Sequence, residues 1–261
     1  MDASFIIVNY KSTDLLKKCL FSLHEKAGSL EYETIIANND KDPLNEIVGE
    51  NILVIERGTN DGFGRACNDA AAHAKSEILF FLNPDTEFLS GNIAEFLNVL
   101  QEPKIGIASP FLVNPDGSMQ AWSYGSKINL WQIIKNNLWT SKVSPEKPPK
   151  DLCPTSWVSG AALAIKSSLF KKIGGFDDNF FMYFEDVDLC HQAEKLGFQT
   201  VVSPKMCLLH HGGASKTTTQ EQKKQYYASQ DHYFRKNLPF WQSIALRILR
   251  TIALAAESIL R

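Results

Sequence analysis

Apolar residues fall along the chain in short runs that end abruptly in polar clusters, alternating with stretches of helical spacing. Ser4–Val8 is apolar after Ser4 and breaks at Asn9, the pattern of a buried strand. Leu15, Leu16, Cys19, Leu20 and Leu23 then keep helical spacing, with Ser12, Thr13 or Asp14 available to cap the helix. Thr34–Ala37 predicts a second strand, ending at Asn38-Asn39-Asp40. Ile52–Ile55 predicts a third, running into the glycine-bearing loop Gly58–Gly64 and a helix near Arg65–Ala74. Glu77–Leu82 is a fourth, closed by Asn83-Pro84-Asp85. This alternation predicts an α/β fold with a mostly parallel sheet flanked by helices. Further on, the pattern predicts a helix near Asn92–Gln101, a short strand at Ile105–Ser109 and a turn at Asn114-Pro115-Asp116-Gly117. Residues 126–156 are irregular, with Trp131, Trp139 and the proline-rich Ser144–Pro149, and read as a lid-like insertion. Order returns with Trp157–Ile165, a helix from Glu185 to Leu196, a strand near Gln199–Val202, and His210-His211-Gly212-Gly213.

The last stretch, Lys236–Arg261, reads as a helix after Pro239. Ile244, Leu246, Ile248, Leu249, Ile252 and Ile259 give it a broad apolar face, and Ser243, Arg247, Arg250 and Ser258 a narrower polar one. Trp241 and a basic excess fit a helix lying in a membrane interface; packing on the domain or on a second subunit is the other reading. One domain over 1–235 and an amphipathic helical tail over 236–261 is therefore the expected organisation. A net charge of −2 over 261 residues provides no basic field for nucleic acid. The five cysteines, Cys19, Cys67, Cys153, Cys190 and Cys207, never stand as Cys-x-x-Cys, so buried free thiols in a reducing compartment are expected for all five. The first residues lack a signal-peptide pattern, and no stretch approaches the ~18 apolar residues of a membrane span. A cytoplasmic chain is expected, or one peripheral on the inner face of the cell membrane.

The polar residues collect where strands end. In parallel α/β sheets the ligand crevice lies outside the carboxyl ends of the strands, so Asn9, Asn38, Asn60 and Asp85 can share one site. Asp85 at a strand mouth suits Mg²⁺ or Mn²⁺, which is held by one or two carboxylates plus substrate phosphates; the plainer reading is an Asn-Pro turn with Asp85 capping a following helix. Glu185-Asp186-Val187-Asp188 opens a helix behind the aromatic run Phe180–Phe184. Acids suit a helix start, but an apolar surround can also raise one carboxylate's pKa enough to make it a general base. Paired histidines before paired glycines at 210–213 allow a metal or phosphate role.

In order along the chain, these segments resemble family 2 glycosyltransferases of the GT-A fold, especially the branch that includes bacterial rhamnosyltransferases. The resemblance runs from about Ser4 to Ser215 and rests on Ser4–Tyr10, Asn60-x-Gly62-Phe63-Gly64-x-Ala66-x-Asn68, Phe81–Asp85, Trp157–Ala161, Gly175-Phe176-Asp177 through Tyr183–Leu189, and His210-x-x-Gly213. It implies a single Rossmann-like domain that moves a sugar from a nucleotide-diphosphate donor to a hydroxyl with inversion. By this resemblance Asp186 is the general base, and Asp85 binds Mg²⁺ or Mn²⁺ with His210 as second protein ligand. Asn9 and Tyr10 face the nucleotide and Asn38 the base or ribose. Asn60, Gly62, Phe63 and Asn68 belong to the donor loop, and Asn83 to the metal motif. Trp157 and Gly160 shape the acceptor side, with Glu185 and Asp188 supporting the acceptor pocket and helix start. Asn38 stands where many relatives carry aspartate, and Asn83 replaces the first acid of the usual Asp-x-Asp. The branch points to dTDP-L-rhamnose and a surface polysaccharide or lipid-linked glycan as acceptor; UDP-sugars are the alternative donors. Two other readings are weighed: a sugar nucleotidyltransferase, which residues 1–20 disfavour because they lack an early glycine-rich triphosphate loop, and a non-catalytic sugar-nucleotide-binding protein.

Overall fold

The computed structural model describes residues 1–138, 149–212 and 219–259. The elements, in chain order, are β1 (Ala3–Asn9), α1 (Thr13–Ala27), β2 (Tyr32–Asn38), β3 (Ile52–Glu56), α2 (Phe63–Ala71), β4 (Ile78–Leu82), β5 (Thr86–Gly91), α3 (Ile93–Leu97), β6 (Ile105–Val113), β7 (Tyr124–Gly125), α4 (Leu130–Leu138), β8 (Cys153–Thr155), β9 (Trp157–Val158), β10 (Ala162–Lys166), α5 (Ser167–Ile173), α6 (Glu185–Lys195), β11 (Gln199–His210), α7 (Thr219–Asn237) and α8 (Phe240–Ile259).

The central sheet has the order β3-β2-β1-β4-β10-β6-β11-β5, with β8 on β11. Pairing is parallel through β3, β2, β1 and β4 and again between β6 and β11; β10, β5 and β8 run against them. The largely parallel sheet expected is therefore present, with antiparallel strands concentrated in its second half. Both faces are covered. Alternate residues of β1 face opposite layers, Phe5 and Ile7 against α1 and α3, Ile6 and Val8 against α2, α5 and α6. This two-sided burial is why β1, β2 and β4 read as near-continuous apolar runs.

Several expectations need correction. Thr86–Gly91, expected as no element, is an edge strand. Its presence removes the reading of Asp85 as a helix cap, because a strand follows it. β11 extends to His210 rather than stopping near Val202, passing a register shift between Ser203 and Cys207. The irregular 126–156 segment contains α4 and β8; its Trp139 and most of its proline-rich part, residues 139–148, lie outside the described residues. α7 was not anticipated, and the expected boundary at 235/236 falls inside it. Ser12 stands at the start of α1 but makes no side-chain cap, its hydroxyl donating instead to Asn9 Oδ1 at 3.1 Å. All five cysteines are free, yet Cys153 and Cys207 are half-buried rather than buried.

Candidate active site

Strand register brings the site together. β5 pairs antiparallel with β11 so that Thr86 lies opposite His210, which sets Asp85 beside the end of β11. β10 pairs antiparallel with β4, Ala162 opposite Leu82, so the 159–161 turn stands over the mouth of β4. Asn83 N–H donates to Ala161 O at 2.9 Å, and Gly160 N–H donates to Asp186 Oδ2 at 2.8 Å. One chain of contacts thus runs from Asp85 to Asp186.

Asp85 is buried, and its Oδ1 lies 3.2 Å from His210 Nε2. Burial works against its charge, but His210 and backbone donors including Gly212 hold its pKa below the ordinary carboxylate value. His210 Nδ1 sits 2.6 Å from Gln120 Oε1, an acceptor, so Nδ1 carries a hydrogen, and Nε2 meets Asp85 as an N–H donor in the imidazolium or with a lone pair in the neutral ring. Two acceptors this close require a cation or a proton between them. Ligand atoms about 2.1 Å from an octahedral Mg²⁺ stand roughly 3 Å apart when adjacent, so the spacing fits one shared divalent ion. Asn83 Nδ2 lies 3.3 Å from the same Nε2. No cluster of three or more metal-ligating His, Cys, Asp or Glu side chains occurs among the described residues, so the remaining positions would fall to phosphate and water. His211 turns elsewhere, its Nε2 2.8 Å from Glu87 Oε1. Gly213 lies outside the described residues.

Asp186 opens α6 with both oxygens engaged, Oδ2 by Gly160 N–H and Oδ1 by Val187 N–H, also at 2.8 Å. Desolvation raises its pKa against these donors. Glu185 beside it is buried and its Oε2 has no hydrogen-bond partner among the described residues; desolvation first, then the Asp186 charge, push its pKa well above the ordinary value. The two N–H donors favour the ionised form of Asp186 over that of Glu185. Gly160 lies close against Phe63 and Asp186, and a Cβ there would sit a tight 3.3 Å from the Phe63 ring and in ordinary contact, 3.5 Å, with Asp186 Cβ. Tyr183 and Phe184, just before α6, both have left-handed φ, 69° and 68°, strain that surrounding structure must hold. α7 holds it: Ser229 Oγ donates to Met182 O at 2.7 Å, and Phe184 packs on Tyr226 and Tyr233.

The remaining expected residues divide by what their polar atoms touch. Asn9 is fully buried and donates to Asn38 Oδ1 at 2.9 Å. Asn38 also accepts from Asp40 N–H and donates to Asp42 O and Glu56, so its amide is saturated. These two knit the ends of β1 and β2 into the crevice floor. Tyr10 is half-buried above them, with the Lys11 ammonium 5.1 Å from its ring centre. Asn60 joins Asn39 at 3.3 Å. Gly62, at φ 114°, lies where a Cβ would come within 2.6 Å of Phe181 O, and Phe63 N–H donates to that same oxygen. The 60–64 loop is thereby fastened to the chain that leads into Asp186.

Three residues expected at the substrate are turned inward. Asn68 accepts from Phe176 N–H at 2.9 Å and donates to Phe176 O at 2.8 Å, bolting α2 to the Gly174-Gly175 turn. Trp157 is buried, its indole N–H held by Ser126 O at 3.0 Å. Asp188 is buried and binds Lys236 Nζ at 2.8 Å and Asn237 Nδ2 at 2.7 Å, anchoring α7 on α6. Sequence reasoning missed Gln120, which carries no motif, and Arg57. The latter clamps the loop through Asn39 at 2.7 Å, Asp61 and Asp69; an arginine just after a strand and four residues before Asp61 was the available signal.

A model of the family described as Glycosyl transferase family 2 matches residues 4–174. The chain belongs to that family. This family 2 chain is 30% identical over 184 residues to N-acetylglucosaminyl-diphospho-decaprenol L-rhamnosyltransferase of Mycobacterium tuberculosis, covering 61% of the chain and 59% of the relative. It is 24% identical to rhamnosyltransferase WbbL of Escherichia coli K12, covering 78% and 81%. It spans about 60% of the length of the first curated relatives it matches. Among solved structures, GalNAc-T7 with UDP, GalNAc and Mn²⁺ superposes at a TM-score of 0.63 with 14% identity, over 81% of this chain and 44% of that one. Mannosyltransferase PcManGT from Pyrobaculum calidifontis, with GDP-Man and Mn²⁺, superposes at 0.57 with 14% identity, over 94% and 64%. At these identities they establish the GT-A fold alone.

Proposed function

We propose that the chain is a metal-dependent, inverting glycosyltransferase that moves a sugar, L-rhamnose from dTDP-rhamnose by likeness to its rhamnosyltransferase relatives, to a hydroxyl of a surface polysaccharide or lipid-linked glycan. The observation that carries this reading is the pairing of a two-donor cation site, Asp85 with His210, and a desolvated carboxylate, Asp186, at one strand-mouth crevice. The domain that ends with α7 would be the catalytic unit, working beside the membrane on its cytoplasmic face.

Asp85 Oδ1 and His210 Nε2 would hold Mg²⁺ or Mn²⁺, whose charge offsets that of the departing diphosphate. Tyr10 would lie against the nucleotide above the Asn9–Asn38 floor. The buried Asp186 carboxylate would accept the proton of the acceptor hydroxyl as its oxygen attacks the anomeric carbon. The carbon–oxygen bond to the nucleoside diphosphate breaks from the opposite side, so configuration inverts. Burial disfavours the charged form of Glu185, which limits the negative charge beside Asp186.

Turnover of dTDP-rhamnose, UDP-glucose, UDP-galactose and UDP-N-acetylglucosamine with Mg²⁺ or Mn²⁺ tests the reading, with Asp85→Asn beside wild type. Metal-dependent release of one nucleoside diphosphate, lost in Asp85→Asn, is the expected result, with dTDP-rhamnose preferred. Turnover of a UDP-sugar instead would move the donor assignment. Turnover untouched by chelation, or by the substitution, would overturn the metal site.

A further inference from the structure

α8 is mounted with its polar side inward. Arg250 reaches Asp231 at 2.8 Å and Gln230 at 2.7 Å on α7 and lies over the Tyr227 ring, while Gln242 Oε1 accepts from Leu130 N–H of α4. Leu246, between them on the helix wheel, is buried. At 100° per residue the opposite side carries Phe240, Trp241, Ile244, Ile248 and Ile252 within about 120° of one another. This stripe faces out: Phe240, Trp241, Ile248 and Ile252 are 75, 61, 54 and 60% exposed. Trp131, one residue past the Gln242 contact on α4, is 72% exposed as well. A helix packed for the domain's own stability would bury such residues; this one is tied down by its charges and offers its apolar side.

Charge identifies what covers it. Residues 219–261 hold seven Lys and Arg against three Asp and Glu, in a chain that holds 27 against 29 overall. The segment bearing the apolar stripe is therefore net positive while the rest of the chain is net negative, which suits an anionic surface rather than a second copy of the same basic segment. Aromatic rings at the helix start and on α4 suit the headgroup boundary, and no helix among the described residues is long and apolar enough to cross a membrane. We infer that the outward stripe of α8, with Trp131, is a docking surface for an anionic lipid bilayer. The inference deepens the reading of a membrane-side glycosyltransferase and rests on it only for its purpose.

Flotation of the full chain with phosphatidylcholine vesicles containing 30% phosphatidylglycerol, or none, tests it. Wild type is compared with Ile244→Ser/Ile248→Ser, two exposed positions whose loss leaves the core intact, and melting temperature confirms that the variant folds. Wild type should float with the anionic vesicles, at least tenfold less with neutral ones, and the double variant at least tenfold less with either. Equal flotation of variant and wild type, or no flotation of wild type, overturns the inference. So does light scattering that finds a wild-type dimer, made monomeric by the double substitution, with no vesicle binding. Release of nucleoside diphosphate from a soluble donor should be unchanged in the variant, so failure to dock and failure of the enzymatic reading are seen separately.

Discussion

Gln120→Leu should weaken divalent-metal binding without unfolding the protein. Gln120 is held in place by its own amide, Nε2 donating to His210 O at 3.1 Å, and aims Oε1 at His210 Nδ1 from 2.6 Å. That contact keeps a hydrogen on Nδ1 and Nε2 toward Asp85. Leucine removes it, frees the imidazole to change tautomer or rotate, and takes away the acceptor of the Nδ1 hydrogen. Loss of such an outer partner of a ligating histidine costs about 10- to 100-fold in metal affinity, or roughly 1.4–2.7 kcal/mol at 1.36 kcal/mol per decade. Gln120→Glu keeps the acceptor and should fall between wild type and leucine. Free Mn²⁺ followed by electron paramagnetic resonance, titrated in the presence of nucleoside diphosphate, measures the affinity directly. Wild-type affinity in Gln120→Leu, with an unchanged melting temperature, would refute the assignment of His210 as an oriented ligand.

Three further outcomes follow from the same contacts. Asn68→Ala leaves both backbone groups of Phe176 without their Asn68 partners, at about 1–3 kcal/mol for each, so urea unfolding should show a loss of ~2–6 kcal/mol with little change in donor KM; a raised KM at unchanged stability would return Asn68 to the donor. Gly62→Ala forces a Cβ against Phe181 O at a positive φ and should cost ~1–3 kcal/mol in the same assay, together with activity, because the clash displaces the segment that carries Asp186; wild-type behaviour would mean the loop relaxes freely. Glu185→Gln should change the pH dependence of stability. A carboxyl whose folded pKa is raised above its unfolded value, about 4.3, binds its proton more tightly in the native state, so its contribution to stability falls as pH climbs above that value. Glutamine cannot ionise, so its melting temperature relative to wild type should rise between pH 4 and pH 7; a difference constant with pH would contradict a buried, protonated Glu185.

What the sequence disclosed and what it hid have physical causes. β1, β2 and β4 were legible because strands covered on both faces are apolar throughout, and the polar residue ending each run marks the crevice. β5 was not, because three of its six residues are exposed and its sequence, TEFLSG, has no clear period. The far half of β11 was masked by Ser203-Pro204-Lys205, which reads as a strand end but here spans a register shift. α7 is polar along most of its length, and the face it buries, Ser229, Gln230, Tyr233 and Phe234, mixes polar and aromatic residues instead of forming an aliphatic stripe. At the site, Asp85, His210, Asp186 and Gly160 converge as their motifs suggest. Asn68, Trp157 and Asp188 stand in the same motifs yet point into the protein, because a motif records that a residue is needed and not which neighbour needs it. Gln120 had no sequence signal: its role exists only once β11 brings His210 beside the 118–120 turn.

Nucleotide binding and sugar transfer measured side by side in Asp186→Asn test the central claim most directly. Asparagine keeps one oxygen for either the Gly160 or the Val187 N–H, sets its NH2 against the other, and cannot take a proton at neutral pH. Calorimetric binding of nucleoside diphosphate with Mn²⁺ should match wild type while transfer to the acceptor falls by about 10²–10⁴-fold, the contribution of a positioned base. Transfer at the wild-type rate in Asp186→Asn would show that the proton leaves by another route and that this carboxylate is not the base.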